Sequence, residues 1–342
     1  MKVLSVKQLA EADKITVEKQ HITSEILMER AATTVFNHIH SKLKNAEIPI
    51  KIFCGIGNNG GDGLVIVRLL LQEGYKVTVY VVNYSHKRSE NFLSNYDKIK
   101  EITNDWPVLL TKDDDFPELS PNDFVIDAIF GIGLNRSLED WVSKLVRYIN
   151  KSDPFVLAVD MPSGLFAEKI PGKHDAVISA DITISFQAPK LVFFLPQTSK
   201  YVGDLQIVDI GLDREYLDNV HSDIELVKKR DIRKRYKNRD KETHKGDYGH
   251  CLIVGGSYGK IGSVGLASTA SMHTGAGMVT IFAPECGYEI LQTMLPEAMV
   301  ITDKAEKNLT SIDFDLDPDV ICFGMGVGTS EESIEAMEKL LN

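Results

Sequence analysis

The sequence predicts two consecutive α/β domains, each built on a parallel sheet, and three observations carry that expectation. The chain has 342 residues, enough for two separate cores, with the apolar (43%) and charged (25%) fractions of a soluble globular protein. Short apolar runs of strand character alternate with stretches of helical periodicity, as in β-α-β units. A glycine-rich turn between a strand and a helix occurs twice, first in CGIGNNGGDGLV (Cys54 to Val65) and again after HCLIVGG.

Two helices open the chain, SVKQLAEADKITVEK from Ser5 and SEILMERAATTVFNHIH from Ser24. Each begins at a candidate N-cap and carries apolar residues at three-to-four spacing, so the pair should cover one face of a sheet. PIKIFC then reads as a buried strand, GDGLVIVRLLLQEG as a helix stopped by Gly74, and KVTVYVV as the next strand. Further strands are DFVIDAIF from Asp123, PFVLAVDM from Pro154, DITISF from Asp181 and LQIVDIG from Leu205, with helical pattern between several of them. These form the first domain, residues 1–216. From about Ile224 the run VKKRDIRKRYKNRDKETHKGD crowds basic residues with few apolar ones. Over 228–245 it reads as a solvated connector, with a nucleotide-phosphate role as the alternative. The second domain, 217–342, repeats the theme with HCLIVGG, a helix through SVGLASTASMHT to Gly275, the strands MVTIFAP and DVICFG, GMGVG and the helical tail EESIEAMEKLLN. About 115 residues after the connector is short for a sheet of this type.

A formal charge of −11 argues against general affinity for nucleic acid or anionic membranes, so a small molecule is the expected partner. Cys54, Cys251, Cys286 and Cys322 are scattered, show no C-x-x-C spacing and read as reduced packing residues. His21, His38, His40 and His250 show no ligand spacing. The N-terminus turns polar too soon for a secretory signal, and no stretch approaches the roughly 18 apolar residues of a membrane span, so the expected location is cytoplasmic. A symmetric homo-oligomer is only the general expectation for such proteins.

Gly55-Ile56-Gly57-Asn58-Asn59-Gly60 satisfies G-x-G-x-x-G between a strand and a helix. The redox dinucleotide fingerprint also needs an acidic residue at the end of the second strand, where Asn83-Tyr84-Ser85 stands instead. A Walker loop is excluded because no Gly-Lys-Ser/Thr follows. What remains is a turn whose free N–H groups favour an anion and whose Asn58, Asn59 and Asp62 can ligate a hard cation or bond sugar hydroxyls. On motif grounds alone, a tight turn with Asx hydrogen bonds to its own backbone explains it equally well.

Other strand ends change the balance. FVIDAIFGIGLNR puts Asp127 near the carboxyl end of one strand with a second glycine turn just beyond it, and FVLAVDMPSG puts Asp160 at the end of another with Ser163 three residues on. In an open parallel sheet these ends face one crevice, so Asp62, Asp127 and Asp160 should converge. Carboxylates gathered without basic neighbours repel one another, which implies a bound cation or a cationic intermediate.

GNNGGDGLV, DAIFGIGLNR and VDMPSG, with the later QAPK and VDIGLD, closely resemble the NAD(P)H-hydrate epimerase domain of bifunctional NAD(P)H-hydrate repair enzymes. The second half resembles the start of their ADP-dependent dehydratase domain, of ribokinase-like fold. The resemblance implies a Rossmann-like three-layer α/β domain followed by the first part of a ribokinase-like one. By position it implies that Asn58, Asn59, Gly60, Gly61 and Asp62, with Gly131, Ile132, Gly133, Leu134, Asn135, Arg136 and Ser137, hold the hydrated dinucleotide, and that Asp160 contacts it. It implies potassium on Asn59, Asp127 and Ser163, dinucleotide contacts at Ser263 and Gly328, and ADP with magnesium for the second half. Hydrated NADH or NADPH carries a hydroxyl on ring carbon 6. Inversion there needs only its loss and return, or ring opening, and Asp160 is the expected proton shuttle and stabiliser of the cationic ring. Lys190 of QAPK reads as a solvated surface lysine, with contact to a substrate phosphate as the alternative.

The second half departs from its family. Lys260-Ile261-Gly262-Ser263-Val264 and Gly324-Met325-Gly326-Val327-Gly328 replace Met-Thr-Gly-Ala-Ala and Gly-Pro-Gly-Leu-Gly. Asn342 precedes the Pro-His-x-Gly-Glu and Gly-Thr-Gly-Asp segments, so dehydratase activity is expected to be absent or feeble in this chain alone. Two competing readings are a ribokinase-like small-molecule kinase and a non-catalytic scaffold of the epimerase fold. Asn59, Asp127, Asp160 and Ser163 together argue against the scaffold.

Overall fold

The computed structural model describes residues 1–43 and 48–341. The chain forms two compact units, Met1–Arg233 and Lys234–Asn342. The first contains the helices α1 (Val6–Gln20), α2 (Ser24–Leu43), α3 (Asn58–Gln72), α4 (Glu90–Ile102), α5 (Asp140–Ser152) and α6 (Arg214–Asn219). Its strands are β1 (Ile50–Cys54), β2 (Val77–Val82), β3 (Val108–Leu110), β4 (Phe124–Ala128), β5 (Phe155–Val159), β6 (Ile182–Phe186) and β7 (Asp204–Val208). They form one parallel sheet in the order β3-β2-β1-β4-β5-β6-β7. Sequence order reverses between β1 and β4, which makes their carboxyl ends the topological switch point.

The sheet is covered on both faces, which gives the expected three layers. Ile50, Ile52 and Cys54 point to one side and pack with Leu64, Ile66 and Leu70 of α3 and with Ala32, Val35 and Ile39 of α2. Phe53 points to the other side and packs with Val142, Leu145, Val146 and Ile149 of α5. This alternation is the period-two signature of a strand buried on both faces. The buried stripe Leu9, Ala12 and Thr16 turns α1 inward. Ala12 packs with Leu27 and Ala31 of α2 and with Ile210 beyond β7.

Ser5 caps α1 as expected, its hydroxyl accepting from Gln8 N at 3.2 Å while the Gln8 side chain accepts from Ser5 N at 2.9 Å. For α2 the cap is Thr23 rather than Ser24: Ile26 N donates to Thr23 Oγ1 at 3.2 Å. The 216/217 division falls inside the first unit, because the chain folds back after α6 onto its own N-terminus. Val3 N donates to Ile224 O and Leu226 N to Met1 O. The basic run stays largely exposed and includes a short helix, α7 (Lys229–Arg235).

The second unit holds β8 (His250–Val254), α8 (Ile261–Thr274), β9 (Met278–Ala283), α9 (Tyr288–Met294), β10 (Met299–Thr302), β11 (Val320–Phe323) and α10 (Glu331–Leu341). Its parallel sheet runs β10-β9-β8-β11. Strand β10 has no counterpart in the sequence reading. The tail helix is found where expected, although Asn342 lies outside the described residues. No cysteine is in a disulfide, and among the described residues no helix is long and apolar enough to cross a membrane.

Candidate functional site

The GNNGGDG segment is not an open turn. Gly57 is the N-cap of α3, and Asn58 to Asp62 form the helix's first turn. Its glycines permit close approach. A Cβ on Gly55 would lie 1.9 Å from Ile129 O, and one on Gly60 would lie 1.8 Å from Gly55 O. The loops after β1 and β4 therefore cross in contact at the switch point, and Gly60 and Gly61 are packing residues rather than exposed donors. No side chain caps the first N–H groups of α3 at the positive end of its dipole.

Over the crossing lies a cavity of about 450 Å³. Asn58, Asn59 and Asp62 of α3, residues 129–136 after β4, Asp160 after β5 and Phe186 at the end of β6 line it. Three loops thus meet over one sheet edge, as the sequence implies. Two details differ. Ser137 does not line the cavity. Asp127 is fully buried beneath it.

Asp127 and Ser163 form the floor. The Asp127 carboxylate accepts from Ser163 N at 2.7 Å and from its hydroxyl at 2.5 Å, and Phe130 N donates to Ser163 Oγ at 2.9 Å. Burial pushes the Asp127 carboxyl up to about 6, with the Ser163 bonds opposing.

Asp160 holds the wall. Its backbone is left-handed, φ 64°, a conformation Asp tolerates better than most residues. The side chain thereby turns back over the sheet edge. Oδ1 accepts from Lys190 Nζ at 2.8 Å, Ser185 Oγ at 3.2 Å and Phe186 N at 3.4 Å, while Oδ2 accepts from Ile132 N at 3.3 Å. Lys190 is therefore not a solvated surface lysine. It is 2% exposed and bonds Ser185 Oγ and Phe186 O as well. The acids of this crevice are therefore not without a basic neighbour, contrary to the sequence reading: Lys190 stands against Asp160. With both oxygens engaged, Asp160 suits the role of fixed negative partner better than that of proton carrier.

Asp62 is nine-tenths buried, and among the described residues no hydrogen bond reaches its carboxyl. Burial first, then Asp160 and Asp13, raises its carboxyl well above the ordinary value. Asn59 Nδ2 is likewise buried without a partner. A Cβ on Gly131 would lie 3.3 Å from Asn59 Cβ and 3.2 Å from Asp160 Oδ2, so these three residues adjoin.

The sequence reading did not select Asp13, Tyr84, Phe130 or Phe186, all of which line the cavity. Tyr84 and Phe130 are in ring contact at 4.7 Å and form an apolar wall. Phe130 stood inside the quoted DAIFGIG. Asp13 carried no such signal, since only the packing of α1 brings it to the cavity.

The second unit repeats the arrangement on its own sheet, with its switch point between β8 and β11. Gly256 N donates to Met325 O at 2.9 Å, and Ser257 Oγ to Gly326 O at 2.7 Å. Ser263 sits in the first turn of α8 beside Gly326. Gly328 has φ 89° and open space beside it.

This fold and site define a Rossmann-like α/β protein with a ligand cavity at the switch point of its sheet. Residues 24–192 match the YjeF-related protein N-terminus family, and residues 251–342 match the NAD(P)H-hydrate dehydratase family. The Coxiella burnetii bifunctional NAD(P)H-hydrate repair enzyme Nnr is 31% identical over 98% of this chain and 67% of its own length. The Escherichia coli K12 enzyme of the same name is 30% identical over 92% of this chain and 60% of its own. The crystal structure of the yeast protein YNL200c superposes with a TM-score of 0.54 at 22% identity, covering 67% of this chain and 98% of that one. The chain belongs to the bifunctional NAD(P)H-hydrate repair enzyme family, and it spans about two thirds or less of the length of the curated relatives it matches.

Proposed function

We propose that the first unit epimerises the R and S forms of hydrated NADH or NADPH at ring carbon 6. The observation that carries this reading is the joining of three features in one cavity. These are the start of α3, which has no side-chain cap, the Gly131–Arg136 loop after β4 and the carboxylates of Asp62 and Asp160. Pyrophosphate suits the free N–H groups at Asn58 and Asn59, with Arg136 at the rim. The ring suits the wall of Tyr84, Phe130 and Phe186. The Asp160–Lys190 pair fixes a negative charge where a cationic ring intermediate would form. A scaffold has no need of such a pair, nor of a nine-tenths buried carboxyl left without a donor.

Potassium fits the donor set beneath the cavity. Asp127 and the Ser163 hydroxyl would supply oxygens from below and the Asn59 amide oxygen one from the cavity wall, where among the described residues no hydrogen bond engages that side chain. The ion's chemistry there would be to fix the loops after β4 and β5. For residues 251–342 the same family reading gives ADP-dependent dehydration of the S hydrate, with Ser263 and Gly328 facing the substrate and magnesium accompanying ADP. No nucleic acid or membrane has a role in this reading, and the cytoplasm is the location it fits.

The test is R/S interconversion of hydrated NADH by the purified chain, with and without potassium. Interconversion above the uncatalysed rate, faster in potassium than in sodium, is the expected result. Interconversion indistinguishable from buffer would refute the reading.

A further inference from the structure

We propose that Asp13, on α1, carries the proton in the interconversion, while Asp160 stays fixed as the anion opposite the ring. This rests on the epimerase reading above. Asp13 lies outside the 24–192 match to the epimerase family, and nothing in its local sequence marks it as functional. The fold brings it in. The buried stripe Leu9, Ala12 and Thr16 seats α1 across the end of the sheet, and Asp13 then lines the 450 Å³ cavity. It also lines a second cavity of about 320 Å³ that shares Asn58, Asp62 and Phe186 with the first. Asp13 therefore stands where the two spaces join.

Four charged groups line these cavities with it, Asp62 from α3, Asp160 after β5, Arg136 after β4 and Lys14 from α1 itself, and the buried Lys190 after β6 acts on it from behind Asp160. Asp160 and Lys190 are bonded to each other. Asp62 is buried without a donor. Among the described residues no hydrogen bond reaches the Asp13 carboxyl either, so its proton is free to move. Burial, then the negative charge of Asp160, lifts that carboxyl to about 6, with Lys190 opposing. A group titrating there can both give and take a proton near neutrality, which efficient acid–base catalysis requires.

The step balances. The bond from ring carbon 6 to its hydroxyl oxygen breaks, with the electron pair leaving on oxygen. The Asp13 proton joins that oxygen and water departs, while the ring nitrogen lone pair closes a cationic C=N bond opposite Asp160. Water then adds to the other face of carbon 6 and gives up one proton to solvent, while the Asp13 carboxylate regains its proton from water in the adjoining cavity.

The test measures kcat and KM for interconversion against pH, using the full chain with Asp13→Asn and Asp13→Glu. Wild type should lose kcat as pH rises through about 6, the protonated form being the one that starts the step. Asp13→Asn should lower kcat by about 100-fold or more, move KM by less than about threefold and abolish that limb. Asp13→Glu should restore part of kcat with a displaced limb, which an effect on packing alone would not produce. An Asp13→Asn protein with wild-type kcat and limb overturns the inference and leaves the epimerase reading standing. If Asp13→Asn does not fold, an Asp13→Glu profile identical to wild type overturns it instead. A wild-type chain that does not interconvert the epimers overturns both.

Discussion

Lys190 is the position at which stability and function are most tightly joined. Its ammonium is 2% exposed and its partner Asp160 is 8% exposed. Replacing one member of such a pair leaves the other charge buried, at a cost of about 3–5 kcal/mol. Lys190→Met should fall at the low end, about 3 kcal/mol, because Asp160 keeps the Ser185 hydroxyl and the N–H groups of Phe186 and Ile132. Replacing both members, Asp160→Asn with Lys190→Met, removes the uncompensated charge, and Asn tolerates the left-handed backbone as Asp does. The double variant should recover at least about 1.5 kcal/mol relative to Lys190→Met. The assay is urea unfolding followed by tryptophan emission. The chain has two tryptophans, Trp106 and Trp141, both in the first unit, so the second does not blur the signal. With a slope of about 2 kcal/mol per M, Lys190→Met should move the midpoint by about 1.5 M. A shift below about 0.3 M, or a double variant no more stable than the single, would refute the ion pair as a buried one.

Two further predictions concern the floor of the site. Gly55→Ala should destabilise the first unit by about 2 kcal/mol or more in the same assay, because its Cβ would meet Ile129 O at 1.9 Å and backbone cannot rotate away. A neutral effect would mean the loops do not cross as described. In potassium-free buffer, Asp127 should make stability depend on pH. Its folded value, about 6 against 3.8 ordinarily, means the folded state holds the proton more tightly. Its contribution is therefore greatest below about pH 4 and is lost as pH rises through about 6, by up to about 3 kcal/mol. The Tm difference between wild type and Asp127→Asn should grow as pH falls through that window, and potassium should flatten it. A difference constant with pH would show that Asp127 is not buried as described.

The layered fold was legible because its strands and helices carry their periods openly. PIKIFC and DFVIDAIF are apolar on both faces, as strands of a covered parallel sheet must be, and the joining of their ends at one crevice follows from topology. The start of α3 was not legible. Glycine disfavours helix by about 1 kcal/mol each, so GNNGGDG reads as a turn, yet contact with Gly55 and Met28 selects those glycines within a helix. Lys190 was misread for a related reason. A lysine on a turn is ordinarily solvated, and only the left-handed Asp160 beneath it reveals a buried partner. Asp13 reaches the site from 45 residues before Asn58 in the chain, and sequence spacing carries no trace of such an approach.

The central claim is that three strand ends enclose one space for a hydrated pyridine dinucleotide. Its most direct test is a crystal structure of the chain with that dinucleotide bound. The account predicts density with the pyrophosphate against the first turn of α3 and the hydrated ring between Asp13 and Asp160. Ordered ligand elsewhere on the first unit, with Asn58, Asn59 and Asp160 bare, would contradict it.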